Sequence, residues 1–247
     1  MSGTRSPFLK EQATEAVIVS HGQPSHPQAG EDHLRALALQ IREHLPGWSV
    51  RFATLAAPHA LEQALEACRS APLVFPVFMA DGWFTKKALA GRLQGSGARQ
   101  LPPLGVHPEL PRLTARLLRN AGEYAGWART GYEVLLAAHG SATGSAAGEC
   151  TRDFAKALAG WLPAARIRVG FLEQRPGLAD VAAGCGLRTL ALPFFAGAGG
   201  HITRDVPDAL DLAGFQGLRM QSLGDAYFVP ELIAHTLKCS VYRDLAA

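Results

Sequence analysis

Short apolar runs alternate with amphipathic stretches along this chain, and they do so twice. Residues 17–20 and 134–138 are continuous apolar or small runs, the pattern of strands buried on both faces of a parallel sheet. Residues 32–44 space Leu34, Leu37, Ala38 and Ile41 three or four apart and stop at Pro46-Gly47, which predicts an amphipathic helix. Residues 151–161 do the same with Phe154, Leu158 and Trp161, ahead of Pro163. Second strands are predicted over 49–55 and 166–172, second helices over 61–69 and 178–183, and third strands over 73–78 and 189–195. Strands alternating with helices in this way predict an α/β fold, with a parallel sheet and right-handed crossovers in each half.

The repetition is literal as well as periodic. Ala16-Val-Ile-Val-Ser-His21-Gly22 is echoed by Val134-Leu-Leu-Ala-Ala-His139-Gly140, and the string ending in Pro76-Val-Phe78 by the string ending in Pro193-Phe-Phe195. Leu104-Gly105, followed by Pro108-Glu109-Leu110, is echoed by Leu223-Gly224, followed by Pro230-Glu231-Leu232. The offsets are 118, 117 and 119 to 122 residues, nearly constant over three separate blocks. The chain therefore reads as two tandem copies of one α/β unit, residues 1–128 and 129–247, joined near residues 125–131.

Composition narrows the classes. The 247 residues are 48% hydrophobic and 18% charged, enough for a packed core. A formal charge of +3 is too small to mark a nucleic-acid binder, although basic residues can still hold an acidic small molecule. Cys68, Cys150, Cys185 and Cys239 form no Cys-x-x-Cys pair, which argues against a zinc ribbon, an iron–sulfur cluster or a disulfide scaffold. The longest apolar stretch, residues 71–80, is too short to span a bilayer, and the start lacks a signal-peptide core. A cytoplasmic protein is expected.

The second copy places one ionisable residue after each of its strands: His139, Glu173 and His201. In a parallel sheet all carboxyl ends share one edge, so residues 34 and 28 positions apart can converge there. A lone His beside Gly is ordinarily a turn residue, but three such placements together point to a site. Two imidazoles and a carboxylate suit Co²⁺, Ni²⁺ or Fe²⁺, and equally suit the uptake and relay of a proton. In the first copy His21 matches His139, but Ala56 and Phe84 stand where Glu173 and His201 stand. That copy is expected to supply a wall of the cleft, with His21 a vestige or a substrate contact. Gly199 and Gly200 permit close approach of a flat ligand, and Asp205 reads as a helix cap with Pro207 and Asp208 in the first turn. Arg175, Arg204, Arg152, Lys86 and Lys87 are placed to meet substrate carboxylates.

Three pieces in order then carry a family resemblance: His139-Gly140-Ser141 after a strand, Phe171-Leu172-Glu173 with Pro176 and Leu178, and Leu192-Pro193-Phe194-Phe195 with Gly199-Gly200-His201 and Asp205-Val206-Pro207. Together they resemble the class II tetrapyrrole chelatases, in particular the sirohydrochlorin cobaltochelatases and ferrochelatases. The resemblance implies two similar Rossmann- or flavodoxin-like domains with a cleft between them. It implies insertion of Co²⁺ or Fe²⁺ into sirohydrochlorin or a related tetrapyrrole, in cobalamin or sirohaem biosynthesis. It places the family's two histidines on His139 and His201 and its acid on Glu173, binding the incoming metal and accepting pyrrole protons. His21, Ser141, Arg175, Gly199, Gly200 and Arg204 are the substrate contacts expected with them. The divalent metal is a substrate, no cofactor is permanently bound, and a monomer or a homodimer is equally compatible. A tetrapyrrole or metal carrier using the same cleft is the alternative.

Other chemistries fit less well. A histidine phosphatase needs Arg before the strand-end His, where Ser20 and Ala138 stand. Ser141 lacks the Gly-x-Ser-x-Gly elbow of a serine hydrolase, and Gly197-x-Gly199 fails as a dinucleotide fingerprint at Ile202.

Overall fold

A computed structural model of the chain describes residues 14–23, 27–127, 131–142, 144–197, 199 and 201–245. The first half runs β1 (Glu15–Ser20), α1 (Pro27–Glu43), β2 (Ser49–Thr54), α2 (Ala60–Glu66) and β3 (Leu73–Pro76). A π-helical turn (Phe84–Leu89), α3 (Ala90–Arg92), β4 (Arg99–Gln100) and α4 (Leu110–Tyr124) complete it. The second half repeats the order with β5 (Glu133–Ala138), α5 (Ala146–Trp161), β6 (Arg166–Phe171), α6 (Leu178–Ala183) and β7 (Thr189–Pro193). It ends in a second π-helical turn (His201–Asp205), α7 (Val206–Leu212), β8 (Leu218–Arg219) and α8 (Val229–Leu245).

Each half holds a four-stranded, wholly parallel sheet, ordered β2-β1-β3-β4 and β6-β5-β7-β8. The chain leaves β1 on one side and returns on the other, so the loops after β2 and β3 both border the end of β1. This switch point is where such sheets bind ligands. The third strands end earlier than predicted, at Pro76 and Pro193; Val77 and Phe194 still donate to the central strand, to the Val19 and Ala137 carbonyls at 2.7 Å, before the chain leaves the sheet. The first helix of each half starts earlier than predicted, at Pro27 and Ala146. Gly30 and Gly148 lie in these added turns, where a Cβ would come within 3.2 Å of Gly22 Cα and 2.4 Å of Gln174 Nε2. The two-residue strands β4 and β8 have too few residues to show a period and were not expected.

Alternation along the central strands divides the core. Ala16 and Ile18 of β1, and Val134, Leu136 and Ala138 of β5, face one continuous core that both halves share. Val17 and Val19 face a separate cluster with Leu61, Val74 and Leu89, and Leu135 and Ala137 face another with Leu178, Val206 and Leu210. Helices α1, α4, α5 and α8 form the shared layer, and the halves exchange their last helices across it. Helix α4 packs on α5 and β7, and α8 on α1 and β3. The junction expected at 128/129 lies outside the described residues. Among the described residues no helix is long and apolar enough to cross a membrane.

Buried polar groups repeat with the fold. Glu15 of β1 accepts a 3.0 Å bond from Arg51 of β2, and Glu133 of β5 a 3.2 Å bond from Arg168 of β6. Burial pushes the Glu15 carboxyl up, but bonds from the Ser70 backbone and Arg51 outweigh it and hold the group below the usual carboxylate range. Gly105 and Gly224 donate backbone bonds of 2.9 and 2.8 Å to the carbonyls of Phe78 and Phe195. A Cβ on either would lie 2.1 Å from the next carbonyl oxygen, of Met79 or Ala196, which explains why both copies keep Leu-Gly there.

Candidate active site

The site is assembled at the carboxyl edge of the second sheet. His139 follows β5, the strand flanked by β6 and β7, so the loops that carry Glu173 and His201 both border it. The Glu173 N–H donates to the His139 carbonyl at 2.9 Å, which ties the first two loops together. Gly140 has φ 73°, a left-handed conformation that costs a side chain dearly, and a Cβ there would meet Gln174 Cγ at 2.6 Å. Gln174 Oε1 accepts from the Ser141 N–H at 3.0 Å, and Ser141 Oγ from the Gly144 N–H at 3.0 Å, so this turn is braced from within.

His139 and His201 meet ring to ring. Their centroids are 4.4 Å apart with the planes at 90°, and the two Nε2 atoms are 3.1 Å apart. Each ring is anchored through its other nitrogen: His139 Nδ1 lies 3.1 Å from the Gly140 carbonyl, and His201 Nδ1 lies 2.6 Å from Asp205 Oδ2. A carbonyl and a carboxylate only accept, so the hydrogen of each neutral imidazole belongs on Nδ1. Both Nε2 atoms then present a bare lone pair to the space they share, with the rings meeting at an angle and not head-on. Two lone pairs at 3.1 Å repel unless a cation, a proton or a metal, lies between them. Nitrogens sharing one tetrahedral metal at about 2.1 Å would be about 3.4 Å apart, so holding one requires the pair to open and the rings to turn toward a common point.

Glu173 takes a different place from a third ligand. Its Oε2 is 3.6 Å from His139 Nδ1, on the side of that ring away from His201, and half of its side chain is exposed. Among the described residues no three His, Cys, Asp or Glu side chains form a group ready to hold a metal ion. The structure thus joins His139 to His201, sets Glu173 behind His139, and adds Asp205 behind His201.

Asp205 is the residue that sequence reasoning misassigned. It precedes α7, but its carboxylate makes no cap bond and is given to His201 instead. The spacing His-x-x-x-Asp on one helical turn is the signal that was available. Gln174 was missed too, and no pattern marks it.

The other expected contacts scatter. Gly199 accepts at its carbonyl from the N–H groups of Ile202 and Thr203, at 2.9 and 3.0 Å, and so shapes the turn of His201; Gly200 lies outside the described residues. Arg175 donates to Asp180 at 2.7 Å, Lys86 pairs with Asp81 at 3.3 Å, and Arg152 lies over the Phe171 ring at 5.2 Å. Arg204 and Lys87 are exposed and make no ion pair among the described residues. His21 stands at the matching edge of the first half, edge-on to Phe84 with centroids 4.3 Å apart. His21 Nδ1 lies 2.8 Å from the Gly22 carbonyl.

Two doubly wound units in tandem, with a pair of anchored imidazoles at the switch point of one, define an enzyme of the chelatase type. A family model for CbiX matches residues 15–121 and again 133–238, and the chain belongs to that family. It is similar to a solved CbiX described as the terminal enzyme of sirohaem biosynthesis in denitrifying bacteria. The two are 41% identical over 91% of this chain and 98% of that one, with a TM-score of 0.82. Bacillus subtilis SirB with Fe³⁺ shares the fold at 15% identity, covering 92% of this chain and 94% of that one, with a TM-score of 0.73. A cobalt complex of the sirohydrochlorin chelatase SirB, from the spizizenii subspecies, does so at 15% identity over 92% and 94%, with a TM-score of 0.66. Among curated protein sequences none matches this chain.

Proposed function

We propose that this protein inserts a divalent metal, Co²⁺ or Fe²⁺, into sirohydrochlorin or a related tetrapyrrole, serving sirohaem or cobalamin biosynthesis. The observation that carries this reading is the facing pair of Nε2 atoms, 3.1 Å apart, with both Nδ1 atoms anchored. Metalation must deliver a cation and remove two pyrrole protons. His139 and His201 receive the metal at Nε2, and with only two side-chain nitrogens they hold it weakly enough to release it. The metal is therefore substrate, with no resident cofactor. Asp205 fixes the His201 tautomer, as a carboxylate behind a ligating imidazole does. Glu173, half exposed and beside His139, takes up protons leaving the ring and returns them to water.

The acidic edge of the macrocycle meets basic residues. Arg204 and Lys87 occupy matching positions of the two π-helical turns, one in each half, and both are unpaired among the described residues. They suit carboxylates better than Arg175, which Asp180 already occupies. The CbiX relative at 41% identity supports the tetrapyrrole class. All four cysteines are thiols, which supports a reducing cytoplasmic setting.

The test mixes purified protein with sirohydrochlorin and Co²⁺ or Fe²⁺ and follows the absorption change. Acceleration over the spontaneous reaction, lost in His139→Ala and His201→Ala, is expected. Binding without acceleration would make the protein a carrier and reject the proposal.

A further inference from the structure

One contact crosses from the first half to the loop that carries His201. His33, on α1, points its ring into the space beside Gly197, where a Cβ would lie 2.1 Å from His33 Nε2. The same Nε2 is 3.3 Å from Oδ1 of Asp225, in the Leu223–Asp225 turn of the second half. That turn is itself fastened to the exit of β7, because Ser222 Oγ and the Gly224 N–H both donate to the Phe195 carbonyl at 2.8 Å. Asp225 is partly buried. Desolvation pushes its carboxyl above the usual range, and the His33 imidazole works against that push.

The matching junction of the other half keeps the backbone and lacks the pair. Gly105 still donates to the Phe78 carbonyl, but Val106 stands where Asp225 stands. Gly30-Glu31-Asp32-His33 is echoed in α5 by Gly148-Glu149-Cys150-Thr151, which contains no imidazole. The backbone clamp is therefore common to both copies. The His–Asp pair occurs only where the clamped loop leads to His201 instead of Phe84.

We infer that His33 is a positioning residue supplied by the first half: held by Asp225, its ring braces Gly197 and so fixes the loop that presents His201 to His139. The inference rests on His139 and His201 being the pair that receives the metal. It gives the first half, without an imidazole pair of its own, a share in the chemistry of the second.

The experiment uses the full chain and compares His33→Ala, Asp225→Asn, Gly197→Ala and the double variant His33→Ala/Gly197→Ala. Each is assayed for Co²⁺ affinity by visible absorption, for kcat and KM with sirohydrochlorin, and for Tm. His33→Ala is expected to weaken Co²⁺ binding and lower kcat about 10-fold, the lower range of effects behind a metal ligand, with KM for the tetrapyrrole little changed. Asp225→Asn should shift both in the same direction by less, and it decides the matter if His33→Ala folds poorly. Gly197→Ala should lose more than either, and removing the imidazole in the double variant should restore part of that loss. Co²⁺ affinity and kcat within about twofold of the parent in both His33→Ala and Asp225→Asn would overturn the inference while the metal-handling pair stands. Full insertion by His201→Ala would overturn the pair itself, and the inference with it.

Discussion

The two switch points of this protein are nearly superposable in geometry and opposite in chemistry. In the first half His21 meets Phe84 edge-on, with centroids 4.3 Å apart at 82°; in the second His139 meets His201 at 4.4 Å and 90°. Phe78 stacks on Phe84 at 6.3 Å and 22°, and Phe195 on His201 at 6.2 Å and 29°. Even the anchoring of the first imidazole by the following glycine carbonyl is kept. What differs is what the rings can do. Ala56 and Ala88 stand where Glu173 and Asp205 stand, so the matching positions of the first half hold one imidazole, a phenyl ring and no acid. Its opening, about 300 Å³, is lined mostly by apolar side chains, Leu55, Ala56, Trp83, Phe84 and Ala88, with His21 and Arg92. The fold sets where the rings meet, and residue identity alone decides whether a cation can be held there.

The comparison breaks most readily at the imidazole pair. His139→Ala or His201→Ala is expected to slow insertion about 100-fold or more, because each removes one of the two nitrogens proposed to receive the metal. Near-parental rates from either would place the chemistry elsewhere. Asp205→Asn tests whether anchoring matters as much as the rings. Losing the carboxylate behind His201 should weaken Co²⁺ binding about 10- to 100-fold, read by titration, and an unchanged titration would return Asp205 to a structural role. Grafting sharpens the contrast from the other side. Phe84→His with Ala88→Asp should create a second, weaker Co²⁺ equivalent, counted by equilibrium dialysis, because the first half already holds both rings in place. A stoichiometry still at one would mean that the geometric likeness of the halves is insufficient. The smallest effect belongs to His21→Ala, for which initial rates should stay within about threefold of the parent, since among the described residues no partner faces that imidazole with a lone pair. Equal loss from His21→Ala and His139→Ala would erase the distinction between the halves.

Much of this was legible in the chain. The duplication, the parallel sheets and the strand-end placement of His139, Glu173 and His201 all follow from local patterns of two to four residues repeated at a fixed offset. The strand ends at Pro76 and Pro193 are not legible, because the apolar run continues to Phe78 and Phe195 after the chain has left the sheet. Asp205 has the sequence position of a cap, and only the folded turn gives its carboxylate to His201 four residues back. His33 and Gln174 left no signal, since their partners, Gly197 with Asp225 and the Ser141 N–H, are distant in sequence or lie on the backbone.

The sequence by itself determined which half carries the donors, because residue identity at each strand end needs no folding to be read. Tertiary structure alone decided which nitrogen of each ring faces which neighbour, that Glu173 stands behind His139 and not beside both rings, and that α4 and α8 change places. Those outcomes depend on the crossover that brings three separate loops to one strand end and on a core shared by both halves, and neither has a local residue pattern.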